Sequence, residues 1–167
     1  VPAAVAAAFE QKFGLPVHNG YGLTESSSIA VGVPPGQRAP IDENGALSIG
    51  VPVSATACNM PAHEGGPRAT GQVGEILLRG PQVVGGYWQR PEESAEAFHQ
   101  AFLRTGDVGY MDDRGWLFIV DRKKDMIIAS GYKVWPKEVE DVLYTHPAVR
   151  EAAVVGVPDD YRGETVK

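Results

Sequence analysis

The chain has 167 residues, 43% of them apolar, and a net charge of −6. That length suits one domain or parts of two, with enough apolar residues for a core. The acidic balance disfavours a nucleic-acid partner or an anionic membrane surface, because both attract basic proteins.

Taken in chain order, residues 2–13 read as an amphipathic helix. Pro2 suits a first turn, Val5, Phe9 and Phe13 recur at i, i+4 and i+8, and Gly14 ends it. The apolar start has no basic leader, so it reads as a helix and not as a signal peptide. Leu15–Asn19 is expected to be a short strand leading into a glycine loop at Gly20. Residues 32–75 are rich in Gly and Pro, which favours a loop-rich β region. Strands are expected at Ala55–Met60 and Val73–Arg79. A helix is expected over Pro91–His99, with Glu92 and Glu93 in its first turn. Strands near 107–111 and 116–120 flank the turn Asp112–Gly115. The charged run Asp121–Lys124 is a candidate domain boundary. Beyond it come a strand at Met126–Ala129, a helix from Pro136 to Leu143 and a strand at Val149–Val157. No apolar run approaches the length of a membrane span. Cys58 is the single cysteine, so no internal disulfide forms and a reducing, cytoplasmic setting is the default expectation.

Three segments carry chemistry. In Gly20-Tyr21-Gly22-Leu23-Thr24-Glu25-Ser26, the first two glycines begin a dinucleotide fingerprint, but Glu25 stands where the third would be. Two glycines let a planar ligand approach the backbone, Tyr21 can stack on a purine, Thr24 offers a hydroxyl to phosphate, and Glu25 is a hard oxygen ligand for Mg²⁺. The alternative is a tight turn with a buried tyrosine. Asp107 ends Arg104-Thr105-Gly106-Asp107, and its two oxygens can accept hydrogen bonds from both hydroxyls of a ribose. On its own, Gly-Asp reads as an Asx turn. Arg122 has a fork geometry suited to ribose or phosphate oxygens, whereas Lys123 reads as solvated. Ser130-Gly131-Tyr132-Lys133 is a polar turn between strand and helix, either a plain connector or a place where a chain passes close to Gly131.

Other signals are weaker. His18, His63, His99 and His146 lack metal-ligand spacing and read as structural or surface residues. Ser26-Ser27-Ser28 is a polar loop, with no nucleophile elbow around it. Trp88, Trp116 and Trp135 read as packing residues.

Together these segments resemble the adenylate-forming (AMP-binding) superfamily, and within it the medium- and long-chain fatty-acid–CoA ligases. Further matching segments run along the chain: Ser48–Pro52, Gly74–Ile76, Arg79–Val83, Gly85–Trp88, Asp121–Asp125, Gly131–Pro136, Glu138, Glu140 and His146–Val149. The resemblance implies an α/β fold with a β-barrel-like subdomain, namely the end of a large N-terminal domain followed by the start of a small α+β C-terminal domain. Residues 1–30 would end the α/β part, 31–121 form the β-rich part, 122–124 the hinge, and 125–167 the first part of the small domain.

The implied site follows. Gly20, Tyr21 and Gly22 would contact adenine and flank the acyl carboxylate. Thr24 would touch the α-phosphate and Glu25 would hold Mg²⁺, the two catalytic positions. Asp107 would bind the ribose, with Arg122 beside it and Ile119 near the base. Lys124 matches the hinge, Ser130, Gly131 and Tyr132 the loop lining the CoA tunnel, and Lys133 a position close to the adenylate. The implied reaction joins a small-molecule carboxylic acid to CoA at the expense of ATP. The resemblance also places an upstream phosphate loop and a late catalytic lysine outside these residues, so the chain is expected to be inactive alone. Carrier-protein loading, a non-catalytic nucleotide-binding module and a β-rich domain with coincidental motifs are the competing readings. Acyl chain length and oligomeric state stay open, a homo-oligomer of the full enzyme being one option.

Overall fold

A computed structural model describes residues 1, 3–60 and 70–167. Pro2 and His63, read above as a first-turn residue and a structural histidine, lie outside the described residues.

The first helix, α1, spans Ala3–Phe13. It forms where alanines and the i, i+4 apolar spacing favour it. It ends as Gly14, at φ 71°, donates its amide to the Glu10 carbonyl. The Phe9 and Phe13 rings pack at a tilt, with centroids 4.6 Å apart. None of the helix is buried against the other described residues. The expected strand at 15–19 is absent: this stretch is irregular. A strand needs a pairing neighbour, and none of the described ladders reaches these residues.

A three-stranded antiparallel sheet follows, made of β1 (Gly20–Gly22), β2 (Ile29–Gly32) and β3 (Val51–Pro52) in that order. A five-stranded sheet holds β4 (Ala57–Asn59), β5 (Gly74–Arg79), β6 (Phe98–His99), β7 (Phe102–Met111) and β8 (Leu117–Arg122). Backbone bonds between Ile49, Gly50 and Leu117 join the two sheets, at 2.9 and 2.8 Å. The result is one curled β wall around a shared core of Tyr21, Ala30, Val31, Ile49, Met60, Ile76, Leu78 and Leu117. The expected strands at 55–60 and 73–79 are both present, shortened at their ends. The expected strand at 107–111 is longer and starts at Phe102.

Between β5 and β6 lies α2 (Pro91–Ala97), opened by Pro91 with Glu92 and Glu93 in its first turn, where acidic groups meet the positive end of the helix dipole. It stops two residues before the expected end. Phe98 and His99 pair instead with Leu103 and Phe102, across a two-residue turn with φ 48° and 64° at Gln100 and Ala101.

After a single 3₁₀ turn, Lys123–Asp125, a third sheet begins. It runs β10 (Tyr132–Val134), β9 (Ile127–Ala129), β12 (Gly163–Val166), β11 (Gly156–Asp159). The polar turn expected at 130–133 is shorter than its four residues. Ser130 (φ 52°) and Gly131 (φ 82°) make the bend, and Tyr132 and Lys133 are already in strand. Helix α3 (Pro136–Tyr144) starts at Pro136 as expected. The expected strand at 149–157 is displaced: the ordered ladder is a hairpin of β11 and β12, with Val155 bonded to Lys167 at its edge. Apolar residues alone pointed to 149–157, but pairing decides where a strand forms. No helix among the described residues is long and apolar enough to cross a membrane.

Candidate functional site

The Gly20–Ser26 segment is held by its backbone. Gly22 sits where the register between β1 and β2 shifts. A Cβ there would lie 2.2 Å from the Ser28 carbonyl oxygen, so only glycine fits. The requirement at Gly22 therefore comes from the fold itself. A 3₁₀ turn over Thr24–Ser26 follows, closed by Ser27 at φ 56°. Ser26 is fully buried; its hydroxyl accepts the Leu23 amide at 2.9 Å and donates to the Ser28 carbonyl at 2.7 Å. That serine staples the loop, in keeping with a polar loop and not a nucleophile.

A β-bulge places the second segment. Glu75 pairs with Val108 and Leu77 with Arg104, so Ile76 of β5 faces three residues of β7. Gly106 takes φ 74° and the Thr105 hydroxyl bonds to the Ile76 carbonyl at 2.8 Å. Such bulges re-aim side chains, and this one turns Asp107 toward Tyr21.

Three groups expected to converge do so. The Tyr21 hydroxyl donates to Asp107 Oδ2 at 2.6 Å. Arg122, opposite Asp107 across β7 and β8, brings Nε to 3.3 Å from Oδ1. Asp107 is 7% exposed and Tyr21 8%. Burial first, and then the bond to Asp107, push the Tyr21 phenol well above its ordinary range, so it stays a donor. The Tyr21 ring also belongs to the core, which is the buried-tyrosine alternative read from the sequence. The guanidinium of Arg122 is mostly exposed, so its pairing with Asp107 is a weak tie that leaves it free to turn.

One cleft of about 980 Å³ is lined by Gly20, Tyr21, Gly22, Thr24 and Glu25 on one side, and by Asp107, Ile119 and Arg122 on the other. Asp107 has about four lone-pair positions. The Tyr21 hydroxyl occupies one and Arg122 adds an ion pair at 3.3 Å, which leaves acceptor capacity for donors entering the cleft. Lys124 lines a second cleft of about 470 Å³, which shares Asp107 and Arg122 with the first. Ser130, Gly131, Tyr132 and Lys133 line neither cleft. Ser130 and Gly131 form the exposed tip of the β9–β10 hairpin, Tyr132 is 76% exposed, and Lys133 pairs with Ile128.

Glu25 is the acidic residue at the Thr24 end of the cleft. No group of three or more His, Cys, Asp or Glu side chains among the described residues could hold a metal on its own. That donor set fits Mg²⁺ arriving with a nucleotide, since such an ion needs only one or two protein carboxylates beside its phosphates.

Residues without an assigned role in the sequence also reach the site. Lys137, in the first turn of α3, and Asp121 line the main cleft, and the Lys137 amide donates to Asp121 Oδ2 at 2.9 Å. Lys137 is also paired with Asp141 one turn on. Its signal was a lysine just after a helix-starting proline, too common to single out. Tyr87 donates its hydroxyl to Glu25 Oε1 at 2.7 Å. That bond pushes the Tyr87 phenol upward, burial adding to it. Behind the cleft, Glu75 bridges Arg104 at 3.0 Å and Lys123 at 3.3 Å. Lys123, read as solvated, is therefore tied to the β wall. Burial raises the Glu75 carboxyl, but the two cations outweigh it and hold it below the usual range.

Known proteins match along the whole chain. The AMP-binding enzyme family matches residues 1–88, and the AMP-binding enzyme C-terminal domain matches residues 138–167. The long-chain-fatty-acid–CoA ligase of Bacillus subtilis (strain 168) is 45% identical over 100% of this chain and 29% of its own length. The long-chain-fatty-acid–CoA ligase of Escherichia coli O157:H7 is 48% identical over 89% of this chain and 26% of its own. Sulfoacetate–CoA ligase of Cupriavidus necator is 43% identical over 95% of this chain and 30% of its own. The chain thus spans less than a third of the length of these relatives. Among solved structures, o-succinylbenzoate CoA synthetase from Bacillus subtilis in complex with its acyl-adenylate intermediate superposes with a TM-score of 0.81 at 32% identity, covering 99% of this chain and 33% of that one. ATP-bound MatB from Rhodopseudomonas palustris gives 0.88 at 34% identity, covering 98% and 32%. With its motifs in order and its fold shared, the chain belongs to the AMP-binding enzyme family.

Proposed function

We propose that the chain forms the ribose and phosphate wall of an ATP-dependent carboxylate–CoA ligase acting on a fatty acid. In this reading residues 1–30 end the α/β part, 31–121 are the β wall, 122–124 the hinge, and 125–167 the start of the small domain. The observation that carries it is the convergence of Tyr21, Asp107 and Arg122 on one cleft. The long-chain ligases among the relatives support the choice of acid; CoA ligases in this family also act on sulfoacetate, so the acyl group is the most changeable part.

Asp107 would accept both ribose hydroxyls with its remaining lone pairs, while the buried Tyr21 hydroxyl holds its carboxylate in place. Gly20 and Gly22 would present backbone to the adenine, with Ile119 against the base. Thr24 would donate its hydroxyl to the α-phosphate. Glu25 would hold Mg²⁺, which supplies charge neutralisation at the phosphates when bound. The substrate carboxylate oxygen then attacks the α-phosphorus, the bond to the bridging oxygen breaks, and pyrophosphate leaves. In the second step the CoA sulfur attacks the acyl carbonyl, the thiol proton is lost, and AMP leaves. Rotation about Lys124 would bring Ser130, Gly131 and Tyr132 to the cleft for that step, and Lys133 toward the adenylate. Catalysis of this kind rests on positioning and electrostatics more than on a reactive side chain.

The test is a graft of residues 1–167 in place of the aligned segment of the Bacillus subtilis ligase, with and without Asp107→Ala. The expected result is pyrophosphate exchange that depends on a long-chain fatty acid, CoA thioester formation, and roughly 30-fold weaker ATP use in the variant, the size expected for two lost hydrogen bonds. A folded graft without exchange, or one indifferent to Asp107→Ala, contradicts the reading.

A further inference from the structure

Tyr87 is built into the site from outside it. Its hydroxyl lies 2.7 Å from Glu25 Oε1, across 62 positions of sequence. Two more bonds tie the same pair of segments together. The Val84 amide donates to the Glu25 carbonyl at 2.8 Å, and the Ser27 hydroxyl donates to the Gln82 carbonyl at 2.9 Å. Tyr87 is itself anchored on the far side. Its amide donates to Ser94 Oγ of α2 at 2.8 Å, and that hydroxyl donates to the carbonyl of Arg90, the residue just before α2, at 2.6 Å. Gly86 lets the chain pass this close: at φ 148°, a Cβ would stand 3.1 Å from Ser94 Oγ. A continuous line of contacts therefore runs from α2 through Ser94 and Tyr87 to the Glu25 carboxylate.

We infer that Tyr87 is a positioning residue for Glu25, fixing one carboxylate oxygen so that the other stays aimed at a nucleotide-borne cation. This rests on the ligase reading, in which Glu25 holds Mg²⁺. A glutamate at a surface turn has rotatable bonds to spare, and its freezing on binding costs affinity. A phenol held from behind removes part of that cost before the ligand arrives. The phenol occupies one oxygen, Oε1, and a cation needs only the other.

The experiment is ATP titration into the chain at stepped Mg²⁺ concentrations, for the wild type, Tyr87→Phe and Ser94→Ala, with the surface variant Tyr161→Phe as control. Amide exchange across residues 24–28 is followed in metal-free samples. Tyr87→Phe keeps the ring and removes only the donor. It should raise the Mg²⁺ concentration for half-maximal ATP binding about fivefold to tenfold, within the range expected for one net hydrogen bond at an exposed site. At saturating Mg²⁺ the ATP affinities should converge, and exchange at 24–28 should speed up without metal present. Ser94→Ala should move both readouts the same way by less, and it carries the test if Tyr87→Phe does not fold. An unchanged Mg²⁺ midpoint with intact ATP binding overturns the role of Tyr87 alone. A wild-type chain with no Mg²⁺-dependent ATP binding overturns the role together with the ligase reading.

Discussion

Tyr21 and Asp107 stand 86 positions apart and share a 2.6 Å hydrogen bond, the tyrosine from β1 and the aspartate from the bulge in β7. The bond links two sheets and aims a carboxylate at the cleft in one contact. Both partners are buried, so its loss leaves Asp107 short of a donor. Tyr21→Phe is expected to destabilise the chain by about 1–3 kcal/mol, the usual cost of an unsatisfied buried acceptor. It should also weaken ATP binding, because Asp107 is then held only by the exposed Arg122. Urea unfolding and ATP titration check the two effects separately; a variant as stable as the wild type contradicts the first.

Gly22 offers a sharper test of the fold. A methyl group there meets backbone at 2.2 Å, which no rotamer change relieves. Gly22→Ala should cost about 3 kcal/mol or more, at the upper end of overpacking effects. Gly106→Ala meets open space but carries φ 74°, so it should cost only about 1 kcal/mol. Thermal unfolding of both variants measures the ranking, and the reverse order contradicts the account.

Glu75 gives a pH dependence. Its carboxyl is held below the usual range in the folded chain by Arg104 and Lys123, which outweigh burial. The unfolded chain then binds its proton more readily as pH falls, so Glu75 contributes stability above the ordinary glutamate value, about 4.3. That contribution disappears as pH drops through the lower folded value. Stability profiles from pH 3 to pH 7 should therefore fall more steeply below about 4.3 in the wild type than in Glu75→Gln. Parallel profiles contradict the bridge.

Cys58 is half-buried, and burial pushes its thiol up to about 12. Thiolate is the reactive form. Alkylation near pH 8 should be slow in the folded chain and should speed up on unfolding, to the rate of a free thiol. Rapid modification of the native chain contradicts this placement.

The segments that meet at the main cleft were legible in the sequence because each carries a local signature. Gly22 and Gly106 mark backbone that other residues fit poorly, and the charged run at 121–124 falls where β8 gives way to the sheet that follows. The Tyr21–Asp107 contact needed the structure, since nothing local says which tyrosine a buried carboxylate will meet. Tyr87 and Lys137 went unassigned for the same reason: each meets the site only through folding, Lys137 by lining the cleft and Tyr87 by bonding to Glu25 from outside it. The strand readings at 15–19 and 149–157 failed where apolar residues were present but pairing lay elsewhere, with Val155 and Gly156–Asp159 joined to the final residues of the chain. The long range of these pairings is the part that local propensity does not encode.

In the proposed ligase, Asp107 holds the two hydroxyls of a ribose in the cleft beside Tyr21. The most direct measurement compares binding of ATP and 2′,3′-dideoxy-ATP to the wild-type chain and to Asp107→Ala, by calorimetric titration. The wild type should bind ATP at least about tenfold more tightly than the dideoxy nucleotide, and Asp107→Ala should erase the difference. Equal binding of the two nucleotides by the wild-type chain, or a preference that survives Asp107→Ala, would contradict it.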